Sequence, residues 1–245
     1  MSKFYTTLVF LLCITIGFSQ NNDESENLTA DTEKSDTKED NKSSFKMEYY
    51  FGVGMNYTDA LNINPYLSEA GVPTVRRFPL EYSIGLGFYF AEKNRIDFDL
   101  GLANMSREDG DFEHKIGNVS IGLRYTRNVL ETKSRNFLNL GVGISTFSSN
   151  LEFYDKNSEI DLDDPNSFGR VAKLNHRQYM VGPTIGYVFR DKDKPEKEQL
   201  RIQLSYDINI SENDWDSEYA NVTNSMDEDL NRLRLQLIFP ILSLF

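Results

Sequence analysis

Residues Leu230–Phe245 read LNRLRLQLIFPILSLF, and their alternation decides the fold. Leu233, Leu235, Leu237, Phe239, Ile241 and Phe245 share one parity, with Asn231 and Ser243 as its polar members near either end. Arg232, Arg234 and Gln236 hold the other parity. Successive side chains of a β-strand point to opposite faces. A period of two therefore predicts a strand with one apolar and one polar face.

Seven earlier segments carry the same pattern. They are Met47–Tyr57, Leu80–Phe90, Arg95–Met105, and the stretches 118–125, 138–145, 178–189 and 200–210. In the second, for example, Leu80, Tyr82, Ile84, Leu86, Phe88 and Phe90 oppose Glu81, Ser83, Gly85 and Gly87. Most of these lengths are near the 9–11 or so residues that a tilted strand needs to cross a bilayer. The connections alternate. Residues 58–79, 106–115, 147–177 and 211–229 make long loops, whereas 91–94, 126–136 and 190–199 make shorter turns. Long loops at one end and short turns at the other predict an eight-stranded antiparallel up-and-down transmembrane β-barrel. An even strand count places both termini at the short-turn end, the periplasmic side. Phe137 and Phe147 fall on the polar parity, which predicts fraying or a bulge. Pro183 and Pro240 each remove a ladder donor and are read as bulges.

Residues 1–19 and 20–46 differ from this barrel, 47–245. Lys3 precedes a nearly apolar run, Phe4–Phe18, and Gly17 and Ser19 supply small residues before a cleavage point near Gln20. This predicts a cleaved signal peptide. Cys13, the only cysteine, lies inside it, so the mature chain has neither disulfides nor Cys-ligated metal. Asn21–Ser44 holds eight acidic residues and no aromatic, the composition of a disordered acidic tether. The net charge of −12 argues against nucleic-acid binding.

Alternation does not say which face is outside, because a soluble lipocalin-like ligand-binding barrel has the same period. The content of the polar face does. It is rich in glycine (Gly52, Gly54, Gly85, Gly87, Gly101, Gly122, Gly141, Gly143, Gly186), which weakens a water-facing strand but fits a narrow bore. The opposite face is too bulky to pack inward. The polar face also carries both signs of charge. Glu48, Glu81, Asp97, Asp99 and Asp207 can meet Arg95, Arg124, Arg201, Arg232 and Arg234. Buried charges must be paired, so these ten residues are the expected ionic network of a side-chain-filled lumen.

The Gly-apolar-Gly repeats (Gly52-Val53-Gly54, Gly85-Leu86-Gly87, Gly141-Val142-Gly143), the eight strands, the leader and the terminal Phe245 together resemble the small eight-stranded outer-membrane barrels. The nearest likeness is to the outer membrane protein β-barrel group with the PorT-like proteins of Bacteroidota. OmpX and the OmpA transmembrane domain are more distant. The resemblance covers about residues 47–245. It implies an integral outer-membrane protein of the cell envelope, in the broad porin family. Its partners would be outer-membrane lipid and lipopolysaccharide, with Phe245 as the signal read by the assembly machinery. A structural, adhesive or accessory role follows, with an envelope or extracellular protein as a further partner.

Some barrels of this size modify outer-leaflet lipid. That chemistry needs a Ser, a His and a carboxylate converging. His114 and His176 show no such spacing, so no catalytic residue is assigned. Asp109-Gly110-Asp111 and Asp161-Leu162-Asp163-Asp164 do not complete a calcium loop, and no metal or cofactor is expected. Trp215, alone of its kind, sits in the last long loop as a candidate contact residue, though packing within the loop is the commoner use.

Overall fold

The computed structural model describes residues 46–90, 93–157, 171–192, 194, 197–223 and 226–244. The leader, nearly all of the acidic tether, Asp161–Asp164 and Phe245 lie outside them. Eight strands form a closed barrel in chain order: β1 (Lys46–Thr58), β2 (Leu80–Phe90), β3 (Asn94–Asp109), β4 (Phe112–Glu131), β5 (Phe137–Asp155), β6 (Val171–Arg190), β7 (Glu198–Asn209) and β8 (Arg232–Leu244). Every neighbouring pair is antiparallel, and β1 closes the ring against β8. The start of β1 and the end of β8 lie together, Met47 opposite Leu244.

The apolar parity faces outward and the polar parity inward. Ile84, Ile144 and Leu235 are 58%, 48% and 46% exposed, while Arg201 and Arg232 are fully buried. A lipocalin-like interior is thereby ruled out, since the bore of this barrel holds charge rather than apolar side chains. The glycines serve that bore. A Cβ on Gly87 would meet the Arg95 guanidinium at 2.3 Å, and one on Gly122 would meet Asp99 at 3.0 Å.

Three strands are longer than their alternation indicates. β4, β5 and β6 run for 20, 19 and 20 residues, and with the end of β3 they project beyond the rest of the ring. Residues 106–115 are accordingly a hairpin and not a loop. Asp109 pairs with Phe112, and Gly110 takes the left-handed conformation (φ +57°) that a two-residue turn requires. At the other end, β4 and β5 are joined by Thr132–Asn136, closed by the Thr132 amide on the Asn136 carbonyl (2.9 Å). The loop between β1 and β2 carries one short helix, α1 (Asn64–Glu69).

The irregularities match expectation only in part. Phe147 needs no bulge, whereas Phe137 stands beside one: the β4–β5 register shifts between Asn128 and Leu130, which makes Val129 an extra residue of β4. The β5–β6 register runs unbroken through both, and both rings are buried inside under Arg190 and Arg232. The bulge expected at Pro240 does lie in β8. Tyr49 faces Leu242 while Tyr50 faces Pro240, so Ile241 is the extra residue and the parity changes after it. Ser243 therefore pairs with the inward Glu48 instead of continuing the apolar row. At Pro183 there is no bulge: β6 and β7 keep one register on either side of Gly182–Pro183.

Gly182 and Gly143 face each other across β5–β6, but their surroundings differ. A Cβ on Gly182 would lie 1.8 Å from the Tyr206 carbonyl oxygen, whereas one on Gly143 meets its nearest atom at 3.5 Å. Gly182→Ala should therefore cost about 1–3 kcal/mol by forcing β6 from β7. Gly143→Ala should stay within about 0.5 kcal/mol. Urea unfolding of the barrel in lipid vesicles checks both; equal midpoints would contradict the asymmetry.

Candidate functional site

The bore holds three tiers of charge, each assembled from several strands. Nearest the short turns, Arg95 Nη1 lies 2.8 Å from Glu48 and 3.2 Å from Glu198, and its Nε lies 2.6 Å from Asp97. Arg201 reaches the other Asp97 oxygen at 2.9 Å and Glu198 at 2.9 Å. Tyr89 donates its hydroxyl to Glu198 at 2.5 Å, and the Arg95 guanidinium lies over the Tyr89 and Tyr50 rings. In the middle tier Arg234 lies 2.5 Å from Glu81 and 3.2 Å from Asp99, Arg124 lies 3.3 Å from Asp99, and Asn56 donates to Glu81 at 2.7 Å. In the upper tier Arg232 lies 2.6 Å from Asp207 and 3.3 Å from the Ser145 hydroxyl, with its guanidinium over Phe147.

All ten residues named from the sequence thus stand in the bore, each in contact with an opposite charge from the same set. Glu198, Tyr89 and Tyr50 complete the lower tier and were not anticipated. Glu198 lies where the Lys- and Glu-rich composition reads as a turn. Tyr50 and Tyr89 are aromatic and resemble lipid-facing residues, but their parity with Glu48 and Gly87 places them inside.

Above the bore, the long loops fold onto the projecting sheet. Leu61, Leu67, Val75, Ile116, Leu151, Trp215 and Leu230 form a second, apolar core there. Its polar centre is Glu228, fully buried. The Asn62 and Ile63 amides donate to its carboxylate at 2.6 and 3.0 Å, and Trp215 Nε1 donates at 3.0 Å. Trp215 is 4% exposed and packs against His176, so it is a packing residue and not an outward contact. His176 Nε2 is 2.8 Å from the Asn213 carbonyl. His114 is buried in the projecting hairpin, and that burial pulls its pKa below the usual histidine value, which favours the neutral ring. Between cap and bore, a void of about 20 Å³ borders Thr58, Phe147 and Leu230, room for about one water. Tiers below and a cap above make a plugged barrel.

No protein-family model matches the chain, and no curated protein is similar to it in sequence. Several solved structures are similar in shape. Ail, the attachment invasion locus protein of Yersinia pestis, aligns with 80% of this chain and 99% of its own at 9% identity and a TM-score of 0.47. A major outer membrane protein of Thermus thermophilus aligns over the same shares at 10% identity and 0.48. Neisserial surface protein A aligns with 80% of this chain and 97% of its own at 11% identity and 0.44. At identities this low, nothing about activity passes from those proteins to this one.

Removing one member of a buried ion pair strands the other, at a cost of about 3–5 kcal/mol. Arg234→Met should therefore lower stability by about that much, and Glu81→Gln by a comparable amount. The double variant should be less destabilised than the sum of the two. A double-mutant cycle by urea unfolding in vesicles measures the coupling; strict additivity would contradict a working pair.

Proposed function

We propose that this chain is an integral outer-membrane β-barrel with a non-enzymatic structural, adhesive or accessory role, exerted by the capped, projecting long-loop end. The inverted polarity of the barrel carries this reading. Large apolar side chains ring the outside at every strand, and ions fill the inside. A soluble monomer rarely exposes a contiguous apolar patch beyond about 300–600 Å². A closed antiparallel barrel satisfies its backbone groups internally, as hydrocarbon demands.

In the proposed orientation both termini lie in the periplasm, and the projecting sheet and cap face the medium. Phe245 would serve as the assembly signal, and outer-membrane lipid and lipopolysaccharide would surround the wall. The plugged bore supports a role other than permeation, because aqueous channels take about 16 strands. The environment of the two histidines supports a non-enzymatic role: His176 packs on Trp215 and meets a backbone carbonyl, and His114 is enclosed in the hairpin. A PorT-like accessory function in secretion is a narrower form of the same proposal. It would have the cap engage an envelope or extracellular protein.

Membrane fractionation with gel mobility before and after boiling tests the proposal. The expected result is a chain extracted only by detergent, whose unheated band migrates differently from the boiled one. A chain recovered without detergent, with one band under both conditions, would overturn it.

A further inference from the structure

We propose that a concave pocket on the outer wall, at the foot of the projecting sheet, binds the phosphorylated sugar headgroup of an outer-leaflet lipid. The inference rests on the membrane reading above. Leu102 and Val119, paired across β3 and β4, end the apolar surface on this side of the barrel. The next outward row is polar: Asn104 pairs with Gly117, and Gly117 with Asn150. The row beyond is charged: Ser106 pairs with Lys115, Lys115 with Glu152, and Glu152 with Lys173. These residues line a pocket of about 470 Å³. Gly117 forms its floor, where an added Cβ would meet only Asn104 Oδ1, at 3.1 Å.

The order of rows matches an amphiphile standing in the outer leaflet. Acyl chains against Phe98, Leu102 and Ile121 put the headgroup at the amide row and its phosphate at the lysines. Asn104, Asn150 and Ser106 offer donors and acceptors to sugar hydroxyls. Lys115 and Lys173 are the cations of the pocket, with side chains 57% and 33% exposed. Their present partners are weakly held. Lys115 Nζ lies 3.6 Å from Glu113 and 4.9 Å from the Tyr154 ring centre, and Lys173 Nζ lies 3.2 Å from Glu152. Solvent screens exposed pairs of this kind and leaves them little net strength, so a phosphate can recruit both ammonium groups at little cost. Tyr154 beside Lys115, and Glu152 beside Lys173, hold both above the usual lysine range, which keeps them charged in neutral medium. Arg177, exposed on β6 in the row of Leu102, Val119 and Ser148, adds a further cation at the edge of the apolar surface.

Native mass spectrometry of the full mature protein, released from detergent with a bis-phosphorylated lipid A, tests the site. Phosphatidylglycerol and dephosphorylated lipid A serve as the comparison lipids. The wild type should retain lipid A in preference to both. Lys115→Glu with Lys173→Glu should weaken that retention about tenfold or more, and Lys133→Glu, in the short turn, should leave it unchanged. Gly117→Gln, which fills the pocket without altering charge, should also weaken it. Heat-shifted gel mobility verifies that each variant is folded. Equal retention by the lysine double variant and the wild type would overturn the inference, as would equal retention of phosphatidylglycerol. Recovery of the wild type without detergent, as a single band before and after boiling, would instead overturn the membrane reading, and this site with it.

Discussion

Charges withdrawn from water must meet opposite charges, and the whole barrel is arranged around that requirement. A bare ion in a low-dielectric interior costs several kcal/mol even after relaxation, and a lone partner left behind is no better. An eight-stranded bore is barely wide enough for side chains, so some of its long or charged groups fit because the neighbouring wall lacks a Cβ. Gly87 beside Arg95 and Gly122 beside Asp99 meet that condition. Arg95, Arg201 and Arg234 each then bridge acids from several strands. Arg95 alone touches residues of β1, β3 and β7. Ion pairs that span the bore also fix strand register, because a slip of one residue would turn the slipped strand's charges outward.

The same constraint explains the cap. The strands of β4, β5 and β6 outlast the apolar belt, and their inner face there carries apolar side chains among polar ones: Ile116, Leu151 and, at the edge, Leu174. Water would otherwise reach that face through the mouth. The two long loops cover it with Leu61, Leu67, Val75, Trp215 and Leu230. Loops bring backbone amides with them, and these need acceptors once buried. Glu228 takes two such amides and the Trp215 indole, which ties both loops together through one carboxylate. The projecting end is thus a packed element and presents a defined surface to whatever it meets.

Most of the barrel was legible in the sequence because an apolar outer face and a polar bore impose a strict period of two. That signal lapses where the surroundings change. Beyond Met105 and before Ile116 both faces of the hairpin are polar or covered by loop, so Ser106–Lys115 reads as a loop although it is paired throughout. Phe147 follows the inward parity but not the inward chemistry, because an arginine from β8 lies over its ring. Glu198 is invisible to alternation, since the turn-like residues around it hide the start of β7. Packing was the commoner reading for Trp215, but its partner Glu228, thirteen residues away, carried no signal. The ten lumen charges were readable because each lies inside a segment whose parity is unambiguous.

Which face of the barrel meets hydrocarbon is decisive, and fluorescence quenching by brominated acyl chains measures that directly. In a Trp215→Phe background, a single tryptophan would replace Phe98 or Tyr206 on the exposed face, or Tyr50 in the bore. The account predicts strong quenching by chain-brominated phosphatidylcholine at Phe98→Trp and Tyr206→Trp, and little at Tyr50→Trp. Strong quenching at Tyr50→Trp, with the outer two sensitive only to aqueous iodide, would contradict it.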